Sequence, residues 1–108
     1  MAVSGAGAAI RAAVESWPGV EAGPHRFGGT EFRLGPKREI GHIHGDELVD
    51  LPLSRRAHDE VIAAGRAEPH HIQPESSWVT FRLREAGDIQ SAIELFRLSY
   101  NLAVKQKS

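Results

Sequence analysis

The chain has 108 residues, 41% of them hydrophobic, enough for one domain with a modest core and too few for two. Its 13 Lys and Arg against 14 Asp and Glu give a net charge of −1, which argues against a nucleic-acid backbone or an anionic membrane as its main partner. Cysteine is absent, which excludes disulfides, thiolate metal sites and Cys nucleophiles, and no apolar run approaches the ~20 residues of a membrane span.

The Ala/Gly-rich start lacks the basic and strongly apolar regions of a secretory signal, so a cytoplasmic location is expected. Ile10, Val14 and Trp17 recur at helical spacing and predict a helix over about 5–17, with Ser4 as cap and Pro18-Gly19 as stop. Its first turn is weakened by Gly5 and Gly7, each costing about 1 kcal/mol against Ala. Residues 20–29, rich in Gly and Pro, read as loop with room for a short extended piece. Residues 30–34 and 38–44 read as two arms of a hairpin around Gly35-Pro36-Lys37, and 47–51 as a third strand after the Gly45-Asp46 turn. Strict alternation in the second arm places Arg38, Ile40, His42 and His44 on one face and Glu39, Gly41 and Ile43 on the other. Ser54 caps a helix to about Ala64, residues 68–74 form a connector, and 78–83 form a strand with Trp78, Thr80 and Arg82 on its polar side. Asp88 is placed as the N-cap of a last helix reaching about Val104, with broad apolar stripes that suit a helix packed on a sheet.

The order α-β-β-β-α-β-α predicts a single two-layer α+β domain over 1–108. Its antiparallel sheet has about four to five strands with helices on one face, and residues 1–4 and 105–108 are frayed.

Four segments carry a resemblance: Glu31-Phe32-Arg33-Leu34-Gly35; Arg38 to Asp46; Ala64 to His71 with Ser77-Trp78-Val79; and Leu95 to Tyr100. Together they are similar to small bacterial "luciferase domain" proteins, over roughly residues 20–103. A more distant similarity is to MmcQ/YjbR-like proteins. That likeness implies the same α+β arrangement. No light-emitting or flavin activity is expected from the label, because flavin luciferases are far larger barrels and no flavin-binding motif is evident. No catalytic residues carry over from the group.

The histidines are the chemically suggestive residues. His42 and His44 sit on one face of a strand about 7 Å apart, and Asp46 follows. The string His-x-His-x-Asp resembles the start of a metallo-β-lactamase zinc motif, but Glu47 stands where those enzymes have His. Cupins also use His-x-His, in an all-β barrel that the predicted helices contradict. His70 and His71 are candidates for a further ligand. The bland alternative is imidazoles hydrogen-bonding across a solvated face. Because the ligand set is incomplete in the sequence, no cofactor and no stoichiometric metal are expected.

Three function classes remain. The first is a binding module for a small anionic or aromatic ligand on the polar face of the sheet, using Arg33, Arg38, His42, His44 and Trp78. The second is a small metal-dependent hydrolase using His42, His44, Asp46, His70 and His71. The third is a protein-interaction module. The binding module is the reading adopted, with a small-molecule partner, no membrane and no nucleic acid. Glu31, Arg33 and Arg38 read otherwise as a cross-strand ion-pair group on the hairpin.

Overall fold

The structure, a computed structural model, describes residues 2–26 and 28–107, so the frayed ends expected at Met1 and Ser108 lie outside the described residues. Among the described residues three helices and six strands follow one another as α1 (Ala6–Glu15), β1 (Val20–Pro24), β2 (Thr30–Leu34), β3 (Arg38–His44), β4 (Leu48–Pro52), α2 (Arg55–Ala63), β5 (Glu68–Pro69), β6 (Trp78–Arg82) and α3 (Asp88–Lys107). The strands form one antiparallel sheet in the order β1-β2-β3-β4-β6-β5. This is the α+β arrangement the sequence predicts, with two strands more than the segments read as strands. Residues 20–24, in the segment read as loop with room for a short extended piece, pair with β2 from Val20↔Leu34 to Pro24↔Thr30. The two-residue β5 lies in the segment read as connector and pairs with β6.

The core fills the space between one face of the sheet and helices α1 and α3. Phe32, Ile40, Ile43, Val49, Leu51 and Val79 point inward from the strands to meet Ile10 and Val14 of α1 and Leu95 and Phe96 of α3. The buried stripe of α3 is Ala92, Leu95, Phe96, Ser99, Tyr100 and Ala103, a helical i, i+3, i+4, i+7 pattern. Small residues along that stripe let the helix approach the strands closely, while Ile89, Ile93, Leu98 and Leu102 flank it half-buried. The last helix continues to Lys107, past the end the sequence suggested, and Asp88 is its first helical residue rather than its cap. The Asp88 carboxylate instead accepts hydrogen bonds from the Arg84 and Glu85 amides at 2.8 and 3.0 Å, closing the turn before the helix.

Ser54 caps α2 as expected, its hydroxyl accepting from the Ala57 amide at 3.1 Å. The N-terminus of α1 is capped differently. Gly5 occupies the cap position, and no local side chain contributes. The carboxylate comes from Asp46 in the β3–β4 turn, accepting from the Gly7 amide at 2.7 Å and the Gly5 amide at 3.3 Å. A Cβ on Gly7 would lie 2.5 Å from the Gly45 carbonyl oxygen, so this glycine admits the turn against the helix. The Val3 amide also bonds to the Asp46 carbonyl at 3.1 Å, which ties down a segment expected to fray.

Asp46 is thus a cap supplied from a distant turn, its two carboxylate oxygens taken up by the Gly5 and Gly7 amides. Asp46→Ala is expected to cost about 0.5–2 kcal/mol in urea denaturation, the range for losing an N-cap, while leaving ring signals of His42 and His44 unchanged. A shift of those imidazole signals would return Asp46 to the histidine cluster.

Candidate functional site

The face of the sheet turned away from α1 and α3 carries the cluster, and a β-bulge decides its membership. In the β2–β3 pairing Phe32 faces Gly41 while Arg33 faces Glu39, so Ile40 is an extra residue in β3. The alternation shifts by one at that point. Ile40 turns into the core beside Ile43, and Glu39 joins His42 and His44 on the open face. The face assignment from strict alternation is therefore corrected for Arg38, Glu39 and Ile40. Arg38 hydrogen-bonds the side chain of Gln106 on α3 and does not line the open face. The cross-strand ion pair with Arg38 is not formed: Arg33 pairs with Glu31 within its own strand.

Asp50 stands at the centre of the face, 1% exposed, between His42 on β3 and Thr80 on β6, its register partners. Its Oδ1 accepts the Thr80 hydroxyl proton at 2.6 Å. Three imidazole nitrogens converge on its Oδ2: Nε2 of His42 at 3.2 Å, of His71 at 3.2 Å and of His44 at 3.4 Å. Nε2 of His70 lies 3.7 Å from Oδ1. The Thr80 oxygen also accepts the His71 amide at 3.2 Å, which fixes the connector over the carboxylate. His25, just beyond β1, stacks on His42 with ring centroids 4.0 Å apart. Trp78 borders the same concavity, its ring 5.5 Å from His42 and 6.1 Å from His70.

The hydrogen bonds set the proton positions on two of the rings. A carboxylate only accepts, so the 2.7 Å contact between His42 Nδ1 and Glu39 Oε2 places a proton on Nδ1. A backbone N–H only donates, and His70 Nδ1 receives those of Ile72 and Gln73 at 3.2 and 3.1 Å. The lone pair of His70 is therefore on Nδ1 and its proton on Nε2.

Electrostatics follow the same geometry. Burial alone pushes the His42 pKa down, but hydrogen bonds to Asp50 and Glu39 and the charge of both carboxylates outweigh it and raise the value to about 9. Burial pushes Asp50 up, and the bonds from His42 and Thr80 with the nearby imidazoles reverse this, holding it well below the usual carboxylate range. His44 is lowered by burial and then by the charge of His42. His70 is lowered, first by burial, against the attraction of Asp50.

The pocket over this cluster is open and has a volume of about 1050 Å³. It brings together four of the five residues expected to bind a ligand, Arg33, His42, His44 and Trp78, and leaves out Arg38. It also brings in His70 and His71 from the alternative metal set and leaves out Asp46. Glu39, Asp50 and His25 were missed from the sequence. For Asp50 a signal existed, a lone carboxylate inside the apolar run Leu48-Val49-Asp50-Leu51, since such a group is seldom fully buried unless paired. For Glu39 the only sign was the glycine at 41.

The profile of a family described as "Luciferase domain" matches residues 37–99, more than half of the chain. The chain belongs to the luciferase-domain family. The matched span of this luciferase-domain protein contains Glu39, His42, His44, Asp50, His70, His71 and Trp78, whereas His25 and Arg33 lie before it. The match bears on the first of the two resemblances drawn from the sequence and not on the YjbR-like one. No curated protein and no solved structure matches the chain. Among the described residues, no helix is long and apolar enough to cross a membrane.

Proposed function

We propose that this luciferase-domain protein binds a small organic ligand on the open face of its sheet, with a flat ring and an anionic or hydrogen-bonding group. The observation that carries this reading is the sharing of one pocket by five imidazoles and the Trp78 indole. Aromatic planes favour a flat apolar body, and the imidazolium of His42 and the guanidinium of Arg33 favour an anionic group at its edge. Such a mixture of apolar planes and a few placed polar groups is typical of small-molecule sites.

Trp78 makes the test direct. Trp17 packs on Tyr100 with ring centroids 5.3 Å apart, away from the pocket, so Trp17→Phe leaves Trp78 as the single tryptophan. Titration of that variant with aromatic carboxylates of graded size, in the presence of EDTA, is expected to quench Trp78 saturably and to shift the His42 and His44 ring signals. Absence of saturation by about 1 mM across the series, where binding is worth only about −4 kcal/mol, overturns the reading.

A second reading, a small metal-dependent hydrolase, draws on one observation: the three imidazole nitrogens around a single oxygen of Asp50. It requires a cation at that point.

A further inference from the structure

We propose that His42, His44 and Asp50 form a binding site for a divalent transition cation of the zinc class, with Glu39 orienting His42 and a fourth position open to the pocket. The three ligand atoms lie within 4.8 Å of one another. The argument rests on spacing, proton placement and burial together.

Zinc bonds of about 2.0–2.2 Å to nitrogen and oxygen, arranged tetrahedrally, give ligand-to-ligand edges of about 3.3–3.5 Å. Nε2 of His42 and of His44 stand 3.2 and 3.4 Å from Asp50 Oδ2, close to that edge. The His44 separation is longer than a good hydrogen bond, so hydrogen bonding alone does not account for it.

Proton placement selects among the three groups of candidate ligands on this face. His42 carries its fixed proton on Nδ1, toward Glu39, so Nε2 is the nitrogen whose lone pair a cation would take in place of a proton. A carboxylate behind a ligating imidazole is the usual outer support of a metal site. His70 has the opposite arrangement. Its Nδ1 lone pair is held by two backbone amides, so Nε2 faces Asp50 as a donor and not as a ligand. The group Asp50, His70 and His71 is therefore one ligand short. In the group His25, Glu39 and His42, the 2.7 Å separation of Glu39 and His42 is that of a hydrogen bond and not of a coordination edge. His42, His44 and Asp50 are what remains.

The carboxylate is also held in place. Thr80 and His71 fix Asp50, and two ligands come from one rigid strand at i and i+2. The expectation of a metal-free protein rested on an incomplete set that included Asp46. Asp50, which β4 delivers, completes it. Three protein ligands with a free fourth position is the arrangement of catalytic rather than structural zinc sites.

The test uses the cation alone, with no organic ligand, so that its failure and that of the ligand-binding reading are separable. The protein is stripped with EDTA, dialysed and titrated with Zn²⁺ by calorimetry, and with Co²⁺ by visible absorption, in a non-coordinating buffer near neutral pH. One cation per chain with tetrahedral Co²⁺ bands is expected. On Zn²⁺ addition the ring ¹⁵N signal of His42 Nε2 should move strongly and that of His70 Nε2 little. His44→Asn, at a half-buried position, should lose affinity by more than about 100-fold, and Glu39→Gln by about 10–100-fold, the range for an outer-shell partner. His70→Ala should bind within a few-fold of the parent. No binding to the parent protein, full binding to His44→Asn, or a shift of His70 Nε2 in place of His42 Nε2 overturns the proposal.

Discussion

Phe96→Ala is expected to destabilise the domain by about 3–5 kcal/mol, the cost of removing a fully buried phenyl ring and leaving the space unfilled. Phe96 is 0% exposed and meets the Phe32 ring edge-on, with centroids 5.3 Å apart. Such a ring pair adds roughly 0.5–1.5 kcal/mol to the burial itself. The ring also covers Gly41, so the truncation opens a void between β2, β3 and α3 at once. Small domains hold only about 5–15 kcal/mol in total, so a large part of the fold's stability depends on this contact. Urea denaturation with an unchanged slope measures it. A loss below about 1 kcal/mol would mean that α3 does not seal the core.

Legibility in the sequence followed periodicity. The three helices, the strands at 30–34, 38–44 and 78–82 and the Ser54 cap come from spacing and capping chemistry that act locally, and the structure reproduces them. The edge strand at Val20–Pro24 was hidden because Gly23 and Pro24 read as loop. Its order comes from pairing with β2, a tertiary interaction. The cap on α1 was hidden for the same reason: its acceptor, Asp46, is 39 residues from the amide it serves. Histidines 42, 44, 70 and 71 stood out by type and spacing alone. Their convergence depends on Asp50, placed between them by strand order rather than by any motif. The bulge at Ile40 leaves no signature in the alternation of apolar and polar residues, so strict alternation assigns Glu39 and Arg38 to the wrong faces. A one-residue change of phase exchanges the two faces of a strand from that point on.

That dependence makes Gly41 the residue on which both fold and site turn. Its φ is +142°, which L side chains rarely adopt. A Cβ there would lie 2.6 Å from Phe96 Cε1 and 2.9 Å from the Asp50 carbonyl oxygen. The ring has some freedom to tilt, but the carbonyl belongs to the neighbouring strand and has little. Backbone strain of about 1–3 kcal/mol and overpacking of about 1–3 kcal/mol together predict a cost of about 2–6 kcal/mol for Gly41→Ala. Gly45→Ala is the matched control. Gly45 also has a positive φ, +55°, but open space where the Cβ would go, so strain alone applies and about 1–2 kcal/mol is expected. The site should respond differently in the two variants. Relief of the strain at 41 by straightening β3 removes the extra residue and turns Glu39 away from His42, breaking the 2.7 Å bond that fixes the His42 ring. Gly41→Ala should therefore lose the downfield Nδ1–H signal of His42, while Gly45→Ala keeps it. A Gly41→Ala protein as stable as the parent within about 0.5 kcal/mol, with that signal intact, would show that the bulge does not set the phase of the strand.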